Sequence, residues 1–165
     1  MVHFDFVENS DRVEIHMAPK GSGSENMSFL KMLDPSAGVS GIRKFVLHCV
    51  FESGARPCPP VIVGVGIGGT SDVAMYLAKE ASTFRKVGSV NSDSEVAKLE
   101  KDLLEKINQT GLGPQGLGGA TTALAVNVEW AHTHISQNPV AVNMQCWRGE
   151  RAMAVIDADG AVTWN

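Results

Sequence analysis

The sequence predicts a mixed α/β fold: a single domain of about three helices packed on a mixed β-sheet, with a hairpin at its C-terminal end. Two observations support this prediction. Three segments repeat apolar residues at helical spacing, and the shorter runs between them are either fully apolar or alternate as strands do. The 165 residues suffice for one domain with a sizeable core and are few for two.

The composition excludes several classes of protein. The apolar fraction of 44% and charged fraction of 19% are typical of folded domains and not of disordered chains. A net charge of −4 predicts no nucleic-acid partner and no anionic membrane surface. No stretch is long enough to span a bilayer, and the start lacks a signal sequence. The three cysteines do not form a disulfide framework, so we expect a reducing compartment, the cytoplasm or an organelle.

Two features are predicted near the start of the chain. Residues 2–7 and 12–17 alternate around a turn-rich quartet, which indicates a β-hairpin. The glycine- and serine-rich residues 20–26 predict irregular structure. This segment is either a nest of backbone N–H groups for a carboxylate or phosphate, or a flexible linker.

Three helices follow from apolar spacing and from their end signals. The first begins near Ser40, ends before Gly54, and has an apolar face formed by Ile42, Phe45, Val46, Cys49 and Val50. The second spans about 72–84 after Thr70 or Ser71 as N-cap, with inward residues Val73, Tyr76, Leu77 and Ala81. The third follows the N-cap candidates at 91–94, with inward residues Val96, Leu99, Leu103 and Ile107.

The predicted strands lie between these helices and after them. Residues 61–63 are fully apolar, as in a buried strand. A strand begins near Thr121 and is closed by His132 and His134, and another covers 140–144. Residues 152–157 and 161–164 predict the closing hairpin.

Glycine is unusually frequent, at 17 residues, and part of it forms the spacing Gly64-x-Gly66-x-x-Gly69. After a strand and before a helix, this pattern is typical of a Rossmann-like nucleotide-binding module. The second strand and its acidic residue are missing, so a tight strand-to-helix turn is the favoured interpretation. The third glycine group, residues 111–119, leads into the next strand, and its role is open.

The three cysteines differ in their surroundings. Cys49 lies on the apolar face of its predicted helix and is interpreted as core packing. Flanking prolines favour an extended, rigid Cys58, which suits a metal ligand. Two arginines that follow Cys146 favour its thiolate. Metal binding and ordinary packing both remain open for Cys58 and Cys146 at this point, because their separation matches no local metal signature.

Two histidines, His132 and His134, are spaced to share one face of an extended strand. Their imidazoles can therefore converge on one site. Two surface histidines at a strand end are the favoured alternative.

Four motifs in order resemble those of one family: Lys-Gly-Ser-Gly-Ser-Glu-Asn at 20–26, Cys58-Pro-Pro with the glycines after it, the glycine group at 111–119, and residues 140–146. This order is similar to the α-type region of class I iron–sulfur fumarases and the related L-tartrate dehydratases. The resemblance covers about residues 13–154. It implies reversible hydration of fumarate to malate.

The resemblance also implies roles for individual residues. Three cysteines of the family hold a 4Fe-4S cluster, and Cys58 and Cys146 correspond to the second and third of them. Gly21 and Gly23 belong to the loop that binds the carboxylate of the dicarboxylate substrate. His134 corresponds to a histidine of the substrate pocket and is the candidate catalytic residue.

The chain departs from the family pattern at one position. The first cluster cysteine, expected upstream of residue 20, is absent. We therefore expect residues 1–165 to be the C-terminal part of an α-type region, inactive in isolation and without an intact cluster. The implied partners are a β-type subunit or domain that supplies the general base, and further copies in a homo-oligomer. A fragment of an L-tartrate dehydratase α subunit is the alternative.

Overall fold

The computed structural model describes residues 2–164, which form seven strands and four α-helices. The strands are β1 Val13–Met17, β2 Ser28–Leu33, β3 Val61–Gly68, β4 Ala123–Ala131, β5 Asn138–Gln145, β6 Ala152–Ile156 and β7 Val162–Trp164. The helices are α1 Ser22–Glu25, α2 Gly38–Ser53, α3 Ser71–Thr83 and α4 Ser94–Asn108. The predicted mixed α/β class is confirmed. Among these residues, no helix is both long and apolar enough to cross a membrane.

The central sheet has the strand order β2-β5-β3-β4. Strands β3 and β4 are parallel, and β5 runs antiparallel to both β3 and β2. Alternate β3 residues face opposite sides of this sheet. Val61, Val63 and Val65 belong to the main core together with residues of α2 and α4, whereas Gly64 and Gly66 face α3. The sheet is therefore covered by α3 on one face and by α2 and α4 on the other.

A second, three-stranded sheet has the order β1-β6-β7. Strands β6 and β7 form the predicted C-terminal hairpin. The predicted N-terminal hairpin is wrong, because residues 2–7 form no strand and β1 instead pairs antiparallel with β6, Ile15 opposite Ala154. The alternation of residues 12–17 thus identified a strand correctly, but its partner lies at the other end of the chain.

The predicted buried faces and end signals of helices α2 and α4 are confirmed. Ile42, Val46 and Cys49 are buried on α2, and the carboxylate of Asp93 accepts hydrogen bonds from the first turn of α4. On α3 the predicted inward face is correct at Ala81 and wrong at Val73 and Tyr76. Ala74, Ala78 and Ala81 are fully buried, whereas Val73 and Tyr76 remain 36% and 37% exposed.

The glycines of β3 explain this inward face. A Cβ atom on Gly64 would lie 2.0 Å from the carbonyl oxygen of Ala78, and one on Gly66 would lie 2.0 Å from that of Ala74. Only small residues can approach so closely. The strand-to-helix turn predicted for this glycine group is confirmed, and its last two members, Gly68 and Gly69, form it with φ of 84° and 65°. Helix packing accounts for the glycine spacing that is also typical of a nucleotide-binding module.

Three further predictions differ from the structure. Residues 20–26 are not wholly irregular, because α1 forms one helical turn within them. Strand β2 was not predicted, since its mixture of polar and apolar residues is that of an edge strand. Strand β4 ends at Ala131, so His132 and His134 lie in the loop that follows it.

Candidate active site

Strand pairing brings Cys58 and Cys146 to the same end of the central sheet. Cys58 lies just before β3, and Cys146 directly follows β5. The two strands are antiparallel, with Ile62 opposite Gln145, so the start of one meets the end of the other. The backbone nitrogen of Trp147 donates to the carbonyl oxygen of Cys58 at 3.5 Å. Two cysteines that are remote in sequence are thus brought to neighbouring backbone positions.

Cys58 has a backbone conformation that the sequence did not predict. Its φ is 56°, in the left-handed region, and the prediction of an extended residue is therefore wrong. The nitrogen of Cys58 donates to the carbonyl of Ala55 at 3.0 Å, which closes a turn. The turn leaves Cys58 exposed, while Cys146 is partly buried.

The glycine group at 111–119, whose role the sequence left open, packs against this turn. Gln115 donates to the carbonyl oxygen of Pro59 from its backbone nitrogen at 2.8 Å and from its side-chain amide at 3.1 Å. A Cβ atom on Gly116 would lie 2.6 Å from the Cβ of Ala55. This loop therefore supports the segment that carries Cys58.

The third cysteine differs from this pair. Cys49 is fully buried in the core, and burial raises the pKa of its thiol to about 12. A thiol with so high a pKa is not a thiolate at neutral pH and is a poor metal ligand. The prediction that Cys49 serves core packing is confirmed.

The donor set fits an iron–sulfur cluster in part. Cys58 and Cys146 are soft sulfur donors, at least partly exposed and at one end of the sheet, and thiolates are the usual ligands of such a cluster. Residues 2–164 contain no group of three or more His, Cys, Asp or Glu side chains placed to hold a metal ion. This part of the chain therefore offers two candidate ligands, one fewer than the three that the resemblance implies.

Lys20 is a largely buried cation next to the end of β5, the strand that Cys146 follows. Its ammonium donates to the carbonyl of Met144 at 2.5 Å and to the hydroxyl of Ser24 at 3.4 Å, and its side chain is only 14% exposed. Burial lowers the pKa of Lys20, and the charge and hydrogen bond of Glu25 act in the opposite direction, while the charge of Lys79 adds to the lowering. An ammonium held in this way is suited to a carboxylate ligand.

Glu25 joins Lys20 to helix α3. One of its carboxylate oxygens lies 2.5 Å from the ammonium of Lys79, and the other lies 3.5 Å from that of Lys20. Burial by itself would raise the pKa of Glu25, but the hydrogen bond and charge of Lys79, and then those of Lys20, lower it overall. Two cations therefore share one carboxylate. No pattern in the sequence points to Lys79, since it lies on a different element.

The predicted substrate-binding glycines adjoin the same region. Glu25 donates its backbone N–H to the carbonyl of Gly21 at 2.9 Å, which forms the single turn of α1. A Cβ atom on Gly23 would lie 2.7 Å from the carbonyl oxygen of Arg56, two residues before Cys58. Gly23 is thus required for contact between this loop and the Cys58 segment. The assignment of substrate binding to Gly21 and Gly23 stays a prediction.

His134 lies at the opposite end of the sheet. It follows β4, and its ring nitrogen Nδ1 accepts a hydrogen bond from the backbone of Ser136 at 3.1 Å. It lines a shallow cavity of about 400 Å³ together with Gly69, Thr70, Val73, His132, Thr133 and Gln137. Eight residues of β3 separate this end from the cysteine end, roughly 25 Å at the usual rise of a strand. Within one chain, His134 and the two cysteines are therefore not brought together.

Known proteins resemble this chain over nearly its whole length. The model of the family described as fumarate hydratase (Fumerase) matches residues 1–155. A putative L(+)-tartrate dehydratase subunit alpha of Methanocaldococcus jannaschii is 52% identical over 159 residues, which are 96% of this chain and 55% of the relative. The L(+)-tartrate dehydratase subunit alpha of Escherichia coli K12 is 36% identical over 158 residues, 96% of this chain and 52% of the relative. The chain spans about half the length of these relatives.

Proposed function

The chain belongs to the fumarate hydratase (Fumerase) family, and from this we propose that it forms part of a hydro-lyase acting on a four-carbon dicarboxylate. The observation that carries the proposal is the convergence of Cys58 and Cys146 beside Lys20. This arrangement combines two soft metal ligands with a buried cation. Soft sulfur ligands suit an iron–sulfur centre, and a buried cation suits a carboxylate substrate.

Cys58 and Cys146 would hold two irons of a 4Fe-4S cluster. When bound, such a cluster supplies a Lewis-acidic iron that polarises the substrate's hydroxyl and carboxylate. The third ligand is expected from a part of the enzyme outside this chain. The chain alone is therefore proposed to hold no intact cluster and to lack activity.

The other residues of the site bind and orient the substrate. Lys20 is fixed by the Met144 carbonyl and presents its charge beside the cysteine pair. The Gly21–Gly23 segment contacts the Cys58 segment without intervening side chains, which lets a carboxylate approach its backbone. A general base for the C–H step is proposed to come from a β-type subunit or domain, in a homo-oligomeric enzyme of the cytoplasm.

Two substrates are compatible with this site. Hydration of fumarate to malate is the reaction that the family description suggests. The names of the similar α subunits favour dehydration of L(+)-tartrate as the second candidate. The substrates and the products of both reactions carry two carboxylates, so Lys20 and the Gly21–Gly23 segment serve either reaction.

Anaerobic reconstitution with iron and sulfide tests the proposal. The complete enzyme, containing this chain and its partners, is assayed with fumarate and with L(+)-tartrate. Cys58→Ser and Cys146→Ser are expected to abolish both cluster absorbance and turnover, whereas Cys49→Ser retains them at reduced stability. Full turnover by the Cys58→Ser enzyme, or a stoichiometric cluster in the isolated chain, would refute the assignment.

A further inference from the structure

Gln145, the last residue of β5, carries a buried oxygen without a hydrogen-bond partner. The residue is fully buried, and its side-chain nitrogen donates to the carbonyl of Pro19 at 2.8 Å, but its Oε1 accepts nothing. Between residues 2 and 164, only the Glu25 oxygen that faces Lys20 shares this property. Buried polar atoms without a partner are rare and call for an explanation.

The orientation of the Gln145 amide is fixed by its neighbour. The carbonyl of Pro19 can only accept a hydrogen bond, so the amide nitrogen has to face it and the oxygen has to face away. Asn143, two residues earlier on the same face of β5, offers a direct comparison. Its oxygen accepts from Ser82 at 2.8 Å and its nitrogen donates to Ser28 at 2.7 Å, so both of its groups are satisfied within the protein.

The group missing from Gln145 has to be a hydrogen-bond donor. Thiolates, cluster sulfides and substrate carboxylates only accept hydrogen bonds and cannot satisfy an amide oxygen. Pro19, whose carbonyl accepts the hydrogen bond from Gln145, directly precedes Lys20 in sequence. Met144, which directly precedes Gln145, accepts a hydrogen bond from the Lys20 ammonium. A ligand whose carboxylate is bound by the Lys20 ammonium would therefore approach Gln145. A hydroxyl next to that carboxylate supplies the donor.

We propose that Gln145 determines specificity by accepting a hydrogen bond from the hydroxyl of a 2-hydroxy dicarboxylate whose carboxylate is bound by Lys20. The inference rests on the proposed function, because it places the substrate beside Lys20. It predicts that the site distinguishes a hydroxylated dicarboxylate from one of equal charge that lacks the hydroxyl. Loss of one such hydrogen bond corresponds to roughly a tenfold change in affinity.

Calorimetric titration of the full chain tests this with four ligands: malate, L(+)-tartrate, succinate and methoxysuccinate. Succinate lacks the hydroxyl, and methoxysuccinate retains its oxygen but cannot donate. Malate and tartrate are expected to bind roughly tenfold more tightly than succinate and methoxysuccinate. This comparison requires no variant and therefore does not depend on whether a substituted chain folds.

Gln145→Met, which removes the acceptor at similar volume, is expected to bind all four ligands equally. Gln109→Met makes the same change at an exposed position and should keep the preference. Equal binding of malate and succinate by the unmodified chain overturns the role of Gln145 and leaves the dicarboxylate site standing. Gln145→Met is compared in the same way: if it still binds malate and tartrate more tightly than succinate and methoxysuccinate, the role of Gln145 is overturned too. This is the outcome expected if Oε1 binds only a buried water. Absence of binding by every dicarboxylate overturns the proposed site as well.

Discussion

Gln115 and Pro59, far apart in sequence, are joined by two hydrogen bonds from Gln115 to one carbonyl oxygen, at 2.8 Å and 3.1 Å. Pro59 directly follows Cys58, and Gly116 directly follows Gln115. The loop that supports Cys58 therefore depends on how closely Gly116 approaches Ala55.

Gly116→Ala is expected to destabilise the chain more than Gly118→Ala does. Both glycines have positive φ, 74° and 93°, so each substitution strains the backbone by about 1–2 kcal/mol. Only at position 116 does the new methyl group also meet a neighbour, Ala55 at 2.6 Å, whereas position 118 is open. Urea unfolding should show an additional loss of about 1 kcal/mol or more for Gly116→Ala. Equal losses at the two positions would contradict this contact.

The three thiols are expected to react at different rates. Cys58 is exposed and Cys146 partly so, whereas Cys49 is buried with a pKa of about 12. With a chromogenic disulfide at mild alkaline pH, two thiols should react in the folded chain and the third only after unfolding. Cys49→Ala serves as the control and should retain both reactive thiols. Reaction of three thiols at one rate would show that Cys49 is accessible.

The pair of Glu25 and Lys79 is expected to make stability depend on pH. The folded-state pKa of Glu25 is lowered, so its contribution is present above the unfolded pKa and is lost as pH falls through the folded value. Because the carboxylate is 44% exposed, the effect should be a fraction of 1 kcal/mol, by the usual worth of exposed pairs.

Thermal melts at neutral and acidic pH measure this contribution. Between the two conditions, Glu25→Gln should lose less stability than the unmodified chain. Glu95→Gln removes a largely exposed pair with Lys98 and should behave as the unmodified chain does. A pH response of Glu25→Gln identical to that of the unmodified chain would argue against the ion pair.

Gly64→Ala is expected to displace α3 from the sheet. Its methyl group would lie 2.0 Å from a backbone carbonyl of that helix, which cannot move aside as a flexible side chain does. We expect a loss of about 3 kcal/mol or more, at the upper end for overpacked cores. Gly88→Ala is the control, since it has positive φ but nothing within 4 Å. A cost at position 64 no larger than at position 88 would mean that the helix adapts.

The sequence predicted those elements that depend on local periodicity. Helix α4 is the clearest case, because its spacing from Val96 to Ile107 and its cap at Asp93 are both local. On α3 the same reasoning selected Val73 and Tyr76, which are bulky, although the strand beneath presents glycine and accepts alanine. Which face of a helix is buried depends on its partner, and a single helix does not contain that information.

The candidate site also combines residues that the sequence identified with residues that only the folded structure identifies. Cys58 and Cys146 were identified through the resemblance of their motifs, but their proximity depends on the pairing of β3 with β5. Lys79 and Gln145 have no local signature, since an isolated lysine on a helix or a glutamine at a strand end is ordinary. Their relevance comes from contacts with Glu25 and Pro19, which only the folded chain creates.

The close seating of α3 on Gly64 and Gly66 also limits how the molecule can move. The helix begins beside Thr70, at the histidine end, and reaches Lys79 near the cysteine end, so it runs along the sheet from one end towards the other. Its backbone touches that of β3, which leaves no layer of side chains along which the two could slide. His134 precedes β5 and Cys146 follows it, so the length of this strand also keeps the two residues apart within one chain. A role for His134 in the chemistry at the cysteines requires the histidine of one copy to meet the cysteines of another.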